Sequence, residues 1–237
     1  AREVRRLLTR HSCELPNSPL GVNLRLPFSP TIPGVQAWPD VVRQRVRDDY
    51  PFLACMELGA GHLRFPGSDL ADEVQRERLM LAQREGMSLT AVWIWREALD
   101  LVPTVASCRA QIDALEIQVP GTLCPDARLL NEIERCRREL GLPITLAPLM
   151  AQEQTPGHFH PRTRIGYRSA ELGALNEQLA GAGLRLNRTL CHLGTDVPAW
   201  ESVLEFLALL PLSQIDGLDL LLPFAGVEEK THLERAV

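Results

Sequence analysis

A single lysine, Lys230, occurs in the 237-residue chain, where it lies within the charged run VEEKTHLER near the C-terminus. Enzymes that form a Schiff base with a carbonyl substrate or with pyridoxal phosphate need a lysine amine held in a pocket. A lysine surrounded by charged residues near a chain end is poorly suited to that chemistry. The sequence therefore argues against a class I aldolase and against a pyridoxal phosphate enzyme.

Glycine motifs that bind phosphate groups are also missing. Neither G-x-G-x-x-G nor a Walker A sequence occurs, so the chain carries no nicotinamide or nucleotide signature. The cysteines stand singly, without the C-x-x-C spacing of zinc or iron–sulfur sites. A free cysteine behaves as a small apolar residue, so we interpret these six as reduced and mostly buried thiols: Cys13, Cys55, Cys108, Cys124, Cys136 and Cys191.

Long apolar runs and long runs of like charge are absent as well. No segment approaches the length of a membrane span, and the formal net charge of -5 comes from intermixed acids and bases. These features predict no nucleic-acid partner and no membrane. Hydrophobic residues make up 45% of the chain, which suffices for one large core. We expect one soluble, cytoplasmic domain over residues 1–237, because the charged start of the chain is unlike a signal peptide.

Short apolar runs bounded by glycine and proline recur along the chain, and each is followed by a helical pattern. Strands joined by single helices require parallel pairing, and near-continuous apolar strands are typical of a parallel sheet covered by helices. We therefore predict an α/β fold of the (β/α)8 TIM-barrel type. The predicted strands cover residues 21–27, 52–58, 89–95, 114–120, 144–150, 184–192 and 218–224.

Seven strands can be recognised, one fewer than a (β/α)8 barrel contains. Three explanations stay open: an incomplete barrel, an eighth strand near the sequence SCELPN, or a chain cut from a longer protein. A helix over residues 1–11 is predicted to precede the first strand. An open doubly wound sheet is the alternative fold, but it would normally carry a glycine-rich turn after its first strand.

Two glutamates are the main catalytic candidates, because active-site residues of a TIM barrel lie at the carboxyl ends of its strands. Side chains alternate along a strand, so Glu116 and Gln118 of ALEIQVP are expected to point into the barrel. Glu57 is expected to point inward at the end of FLACMEL. Repulsion and desolvation would hold a proton on one of the two carboxylates, which suits them for acid/base catalysis. The alternative for each is a structural ion pair with an inward arginine, such as Arg25 or Arg185.

Other residues near predicted strand ends are candidates for binding or catalysis. We predict that Arg25, Trp95 and Gln118 bind substrate. Trp93 and Trp95 share one face of their strand and offer a stacking wall, although filling the barrel interior is an equally ordinary role. His192 ends the sixth predicted strand and could act as an acid/base group or ligand, because imidazole titrates near neutral pH. The alternative for this residue is a satisfied core histidine.

The segment AQEQTPGHFHPRTRIGYRS is predicted to be a long loop, and loops of this length are more often functional than filler. His158 and His160 would bind a metal if the backbone is extended between them. Arg162 and Arg164 would bind an anionic substrate as part of a closing lid, because arginine captures carboxylate and phosphate groups in a bidentate manner. A solvated loop is the alternative.

A resemblance to the sugar-isomerase-like TIM barrels, a group of xylose-isomerase-like isomerases, epimerases and endonucleases, rests on FLACMELGAGH, QRERLMLAQREG and MSLTAVWIW. It extends more loosely through DALEIQVPG and ARLLNEIERCRRELGLPITLAP. The resemblance implies a divalent metal held by a Glu, an Asp, a His and a late carboxylate. His192 matches the His, but ITLAPLM carries no carboxylate and Asn187 stands where an Asp would be expected. The implied metal site would therefore be lost, or rebuilt from Glu57, Glu116 and the loop histidines.

Together these observations predict a small-molecule isomerase, epimerase or lyase that acts on a sugar-like or anionic substrate by carboxylate proton transfer, with or without a divalent metal. A glycoside hydrolase is the alternative among enzymes, and the separation of its two carboxylates would distinguish it. The alternative outside enzymes is a non-catalytic barrel that serves as a binding or scaffold subunit. An open sheet edge would then be covered by another copy in a homo-oligomer or by a missing segment.

Overall fold

The computed structural model describes residues 19–24, 50–153, 162–194 and 198–222. The chain forms two compact units, Ala1–Thr90 and Ala91–Val237. Strand β3 (Ser88–Ile94) begins in the first unit and ends in the second. Several predicted features lie outside the described residues: the helix over 1–11, the sequence SCELPN, Arg25, His158 and His160.

The described part of the first unit, residues 19–24 and 50–90, carries short parallel strands and helices. Its elements before β3 are β1 (Gly21–Asn23), α1 (Tyr50–Glu57), β2 (His62–Pro66) and α2 (Glu73–Arg84). Gly21 of β1 lies opposite His62 of β2. The start of β3 joins β2 through a backbone hydrogen bond of 2.8 Å from Ser88 N to Gly61 O. Asp72 caps α2, because its carboxylate accepts a hydrogen bond of 2.9 Å from the backbone N–H of Gln75.

The prediction of a strand at 52–58 is wrong, because these residues belong to α1 up to Glu57 and the strand is β2. The segment FLACMEL lacks β-branched residues and contains alanine, methionine, glutamate and leucine, which favour a helix. Gly59 follows the helix with a φ of 66°, a left-handed conformation that glycine adopts without steric cost. In β2, Leu63 and Phe65 are buried and the alternate residues His62, Arg64 and Pro66 are half-buried, as the alternation of a strand requires.

In the described residues of the second unit, strands and helices alternate except at β5 and β6, two strands in succession. After β3 come α3 (Leu101–Ala106), β4 (Ala114–Pro120), α4 (Ala127–Leu140), β5 (Ile144–Glu153), β6 (Arg162–Ile165), α5 (Leu172–Gly181), β7 (Leu186–His192), α6 (Ala199–Ala208) and β8 (Ile215–Leu221). Strands β4, β5, β7 and β8 pair in parallel in that order. An α/β fold with parallel strands joined by helices is therefore confirmed.

Two elements of the second unit differ from prediction. Strand β8 begins at Ile215, earlier than the predicted 218–224. Strand β6 was predicted as loop, because its sequence RTRI is short and rich in arginine, and it pairs antiparallel with β5. Both ends of α4 are capped: Asp126 accepts a hydrogen bond of 2.7 Å from Leu129 N, and Gly141 ends the helix with a φ of 62°.

The centre of the second unit is buried on both faces of the sheet. In β4 the run from Leu115 to Val119 is buried, and in β5 the run from Ile144 to Ala147 is buried. Burial of successive residues is expected for parallel strands that are covered on both sides. In the part of the chain that the structure describes, no helix has the length and apolar character needed to cross a membrane.

Candidate active site

Polar side chains from four strands share one face of the sheet in the second unit. Glu116 of β4 pairs with Thr145 of β5, and Thr145 pairs with Arg188 of β7. Paired residues of neighbouring parallel strands point to the same face, and Gln118 follows Glu116 by two positions. Asp219 of β8 contacts both Thr145 and Arg188. We call these five residues the polar row.

Hydrogen bonds join the polar row in two groups, Gln118 with Glu116 and Asp219 with Thr145 and Arg188. The side-chain amide of Gln118 donates to Glu116 Oε1 at 3.0 Å. The Thr145 hydroxyl donates to Asp219 Oδ2 at 3.4 Å, and Arg188 Nη1 lies 3.0 Å from Asp219 Oδ1. Asp219 therefore holds a hydroxyl on one oxygen and a guanidinium on the other.

The polar row runs from the protein interior to solvent. Glu116 is 1% exposed and Thr145 is 3% exposed. At the other end, the side chains of Arg188 and Asp219 are 54% and 36% exposed. A carboxylate taken out of water costs free energy unless polar groups compensate it, and apolar residues would fill the same space at no such cost. The row therefore has the character of a site rather than of core packing.

Three residues predicted from the sequence share this face. Glu116 and Gln118 share it, as their alternation predicts. His192 ends β7 and shares the face too, because it lies four positions beyond Arg188. The imidazole is half-buried, and its Nδ1 lies 3.2 Å from the carbonyl oxygen of Ile165.

Trp95 lies on the opposite face. Its backbone N–H donates to Gln118 O at 2.7 Å, which in a parallel ladder places Trp95 level with Val119 rather than with Gln118. The indole instead lines a cleft of about 560 Å³ beside α4. The expected stacking wall beside the two glutamates is therefore not formed by this residue, although the side chain remains available to a ligand in the cleft.

Charged groups around this cleft are engaged with the protein itself. Glu132 accepts a hydrogen bond of 3.0 Å from Leu101 N, the first residue of α3, and its other oxygen lies 2.7 Å from Arg135 Nη1. Arg128 donates to the carbonyl oxygen of Glu97. These contacts fasten α3 and the preceding loop to α4. The full lining is Trp95, Glu97, Ala98, Leu99, Asp100, Arg128, Asn131, Glu132 and Arg135.

Arg164, predicted to clamp an anionic substrate, forms a buried ion pair. Its guanidinium meets both carboxylate oxygens of Glu171, at 2.8 and 2.9 Å, and also donates to Gly166 O at 2.7 Å. Glu171 accepts the backbone N–H of Arg168 as well. This arrangement holds the turn after β6, which favours a structural role for Arg164. Arg162 lies in β6, and its binding role stays a prediction.

Glu57, the proposed partner of Glu116, is the last residue of α1 in the first unit and is exposed. The reasoning that placed it at a strand end is wrong, so its catalytic role has lost that support. Asp219 supplies a second carboxylate that was not predicted, because it lies near the start of the predicted strand at 218–224 and the candidates were residues at the carboxyl ends of strands. An acid between Leu218 and Leu220 was the available signal.

Cys191, which precedes His192 in β7, is not a nucleophile candidate. Burial, with a smaller contribution from Asp219, raises the pKa of the Cys191 thiol to about 12. The thiolate is the reactive form of cysteine, so at neutral pH this group is an inert thiol.

The metal site that the family resemblance implies does not fit the residues described. Within residues 19–24, 50–153, 162–194 and 198–222, no three His, Cys, Asp or Glu side chains are grouped so as to hold a metal ion. In the polar row one of the two carboxylates, Asp219, already pairs with Arg188.

The fold and the site together define an α/β protein with a polar row on one face of its parallel strands. No family model, curated protein or solved structure matches the chain.

Proposed function

We propose that the chain is a small-molecule isomerase, epimerase or lyase in which Glu116 is the acid/base group. The observation that supports this most strongly is the burial of the Glu116 carboxylate, 1% exposed, on the face where the polar row reaches solvent. The proposal includes the (β/α)8 barrel as a single domain, a relation to the sugar-isomerase-like barrels and a cytoplasmic location.

The neighbours of Glu116 suit proton transfer. Gln118 donates to Oε1 and so fixes the orientation of the carboxylate, while a positioned carboxylate can take a proton from carbon and return it. In an isomerase or epimerase, Glu116 would remove a proton from the carbon beside a carbonyl group. In an isomerase the same carboxylic acid would return the proton to the neighbouring carbon, whereas in an epimerase a second acid on the other face of the substrate, the role predicted for His192, would have to supply it.

Substrate binding would use the exposed end of the polar row. Arg188 presents a half-exposed guanidinium, which pairs well with carboxylate or phosphate, and the partly exposed Asp219 carboxylate can accept hydrogen bonds from sugar hydroxyls. A sugar-like or anionic substrate therefore fits the row. His192 and Arg162 keep their predicted auxiliary roles in this proposal, and no step is assigned to a metal.

Proton transfer at carbon can be detected without knowing the product. The purified protein is incubated in D2O with a panel of aldoses, ketoses and sugar acids, and loss of the C–H signal is followed by proton NMR. Glu116→Gln should lower the exchange rate by about 10²–10⁴-fold, the usual contribution of a positioned acid/base group. Glu134→Gln on the exposed side of α4 is the matched control and should exchange like the wild type. Undiminished exchange in Glu116→Gln would refute the assignment.

A glycoside hydrolase is the second candidate, because Glu116 and Asp219 provide two carboxylates on one face. A parallel panel of 4-nitrophenyl glycosides tests it. Nitrophenol release that is lost in both Glu116→Gln and Asp219→Asn, without deuterium exchange in the first panel, would favour the hydrolase. Binding of the sugars without either reaction would favour the non-catalytic binding subunit.

A further inference from the structure

Residues 165–168, which we call the β6 turn, lie against the end of β7. Tyr167 donates its backbone N–H to Leu190 O at 2.8 Å, and Tyr167 O accepts the backbone N–H of His192 at 2.8 Å. These two bonds hold the turn beside β7 in a parallel bridge. The carbonyl oxygen of Ile165 thereby lies 3.2 Å from Nδ1 of the His192 imidazole.

Further contacts fix the β6 turn in this position. Gly166 O accepts a hydrogen bond of 2.7 Å from Arg164 Nη1. The buried Arg164 guanidinium meets both carboxylate oxygens of Glu171, and this carboxylate also accepts the backbone N–H of Arg168 at 2.8 Å. A two-pronged arginine contact of this kind fixes geometry as well as charge. The carbonyl oxygen that faces the imidazole is therefore held by contacts on both sides of it.

Gly166 allows the β6 turn to approach β7 this closely. Its φ of 99° is a conformation that favours glycine. A Cβ atom at this position would lie 3.0 Å from His192 N and 3.1 Å from Leu190 O, and backbone atoms cannot easily move aside. A larger residue would therefore push the turn, and with it the Ile165 carbonyl, away from the imidazole.

The contact with Ile165 determines which ring nitrogen of His192 carries the proton. A carbonyl oxygen can only accept a hydrogen bond, so Nδ1 must be the donor. A neutral imidazole has one N–H, and the bond made at one ring nitrogen sets the state of the other. The lone pair of neutral His192 therefore lies on Nε2. The ring is half-buried at the end of β7, on the face that carries Glu116.

We propose that the β6 turn positions His192 as the second acid/base group of an epimerase. Nδ1 stays bonded to Ile165 O, and Nε2 is the atom that exchanges a proton with the substrate. The inference rests on the proposed function and selects its epimerase form, which needs an acid/base group on each face of the substrate carbon. Arg164 and Gly166 are positioning residues, because they act on the imidazole through the turn.

The proton transfers balance without a further reactant. Glu116 takes the proton from the carbon beside the carbonyl group, and the electrons of the C–H bond pass into an enolate. The imidazolium of His192 gives its Nε2 proton to the opposite face of the same carbon, and the electrons of the N–H bond stay on Nε2. Water then removes the proton from Glu116 and returns one to His192. The hydrogen bond from Nδ1 to Ile165 O persists throughout, and it is stronger while the ring is charged.

Nitrogen-15 NMR of the histidine side chains tests the positioning without any substrate. Above about pH 8 the ring is neutral, and the chemical shifts of its two nitrogens show which one carries the proton. The signals of His192 are identified by their loss in His192→Gln. We expect Nδ1–H in the wild type and a smaller Nδ1–H population in Gly166→Ala. Arg164→Lys keeps the charge opposite Glu171 but loses the two-pronged contact, so it should shift the population in the same direction.

Gly173→Ala is the matched control. Gly173 lies in α5, and among the residues that the structure describes a Cβ atom there meets nothing within 4 Å outside its own helix. It should leave the spectrum of His192 unchanged. A wild-type His192 with its proton on Nε2 would overturn the proposal. So would a spectrum that Gly166→Ala leaves unchanged, and Arg164→Lys decides the same question if Gly166→Ala does not fold.

Product analysis in D2O tests the catalytic role of the positioned ring. With a sugar that the wild type epimerises, Glu116 still removes the C–H proton in His192→Gln, so deuterium should still enter the starting sugar while formation of the second epimer is lost. Gly166→Ala should slow epimer formation by about 10–100-fold, the usual cost of losing an outer partner that orients an imidazole. Undiminished epimer formation in His192→Gln would overturn the proposal. A wild type that exchanges no sugar would instead refute the proposed function, and the substrate-free spectrum would still decide whether the turn positions His192.

Discussion

Helices α4 and α6 of the second unit bury similar inner faces and present opposite outer faces. The inner face of α4 carries Ile133 and that of α6 carries Phe206, both at most 2% exposed. Outside, α4 displays ion pairs such as Arg137 with Glu134 at 2.8 Å, whereas α6 displays Trp200 and two leucines. The inner faces should therefore decide stability. The outer faces should decide what the molecule associates with.

Truncating an inner face should have the largest effect on stability. Ile133→Ala on α4 and Phe206→Ala on α6 each leave a cavity and should lower the free energy of unfolding by about 2–5 kcal/mol. Urea denaturation at one protein concentration measures both. If Phe206→Ala lowered the free energy of unfolding by less than about 1 kcal/mol, α6 would pack loosely against the core. The two helices would then not be equally well packed.

The next largest effect belongs to Glu132, the one acid on α4 that faces inward. It accepts the N–H of Leu101 and pairs with Arg135, so Glu132→Ala leaves a buried donor without an acceptor at the start of α3. The expected loss is about 1–3 kcal/mol in urea denaturation. Glu134→Ala, which removes only an exposed pair, should change the free energy by less than about 1 kcal/mol. Equal effects of the two substitutions would contradict the assignment.

Strand β4 and the caps of α4 could be predicted from the sequence because their signals are local. ALEIQVP is a single apolar run whose two polar residues fall on alternate positions, so Glu116 and Gln118 had to share a face. Asp126 and Gly141 bound an unambiguous helical pattern. The alternation of polar and apolar residues and the capping of a helix both depend on residues that are close in the sequence. Contacts between distant segments therefore leave these features unchanged.

The other parts of the site depend on pairing between distant segments. FLACMEL is a short apolar run whose periodicity fits a strand or a helix, and only its residue propensities favour the helix that forms. The contact between Arg188 and Asp219 follows from the register of β7 with β8, while the burial of Arg164 requires Glu171 to turn back after β6. The exposure of Trp200, Leu204 and Leu207 on α6 could not be predicted from the sequence either, because an apolar residue in a helix is normally expected to face the core.

Alkaline pH should act on α4 through Cys136, which has no counterpart on α6. Burial, followed by the nearby Glu132 carboxylate, raises the pKa of this thiol from about 9 to about 12. Since the folded state holds the thiol proton more tightly than the unfolded state, the protonated thiol contributes to the stability of the fold. This contribution is fully present below pH 9 and is lost as the pH rises toward 12. The free energy of unfolding should fall by at most about 1.4 kcal/mol per pH unit in that window.

Cys136→Ala isolates this contribution, and urea midpoints at a series of pH values between about 8 and 11 would measure it. The free energy of unfolding of the variant should fall less steeply as the pH rises. Part of the fall that remains should come from Cys191, whose pKa is raised similarly. An unchanged slope would show that the thiol of α4 is not held in a buried site.

The smallest effect is expected when the outer face of α6 is made to resemble that of α4. Leu204→Lys replaces an exposed apolar side chain and places an ammonium group three residues after Glu201, where opposite charges on a helix stabilise it by about 0.2–0.5 kcal/mol. At concentrations where the chain is monomeric, the free energy of unfolding should therefore stay within about 0.5 kcal/mol of the wild type. Phe206→Lys, on the inner face of the same helix, should instead unfold the chain or cost several times more, because it buries an unpaired charge. If Leu204→Lys lowered the free energy of unfolding as much as Phe206→Lys, both faces of α6 would be buried within one copy of the chain. The outer face of α6 would then not differ from that of α4 in the way described.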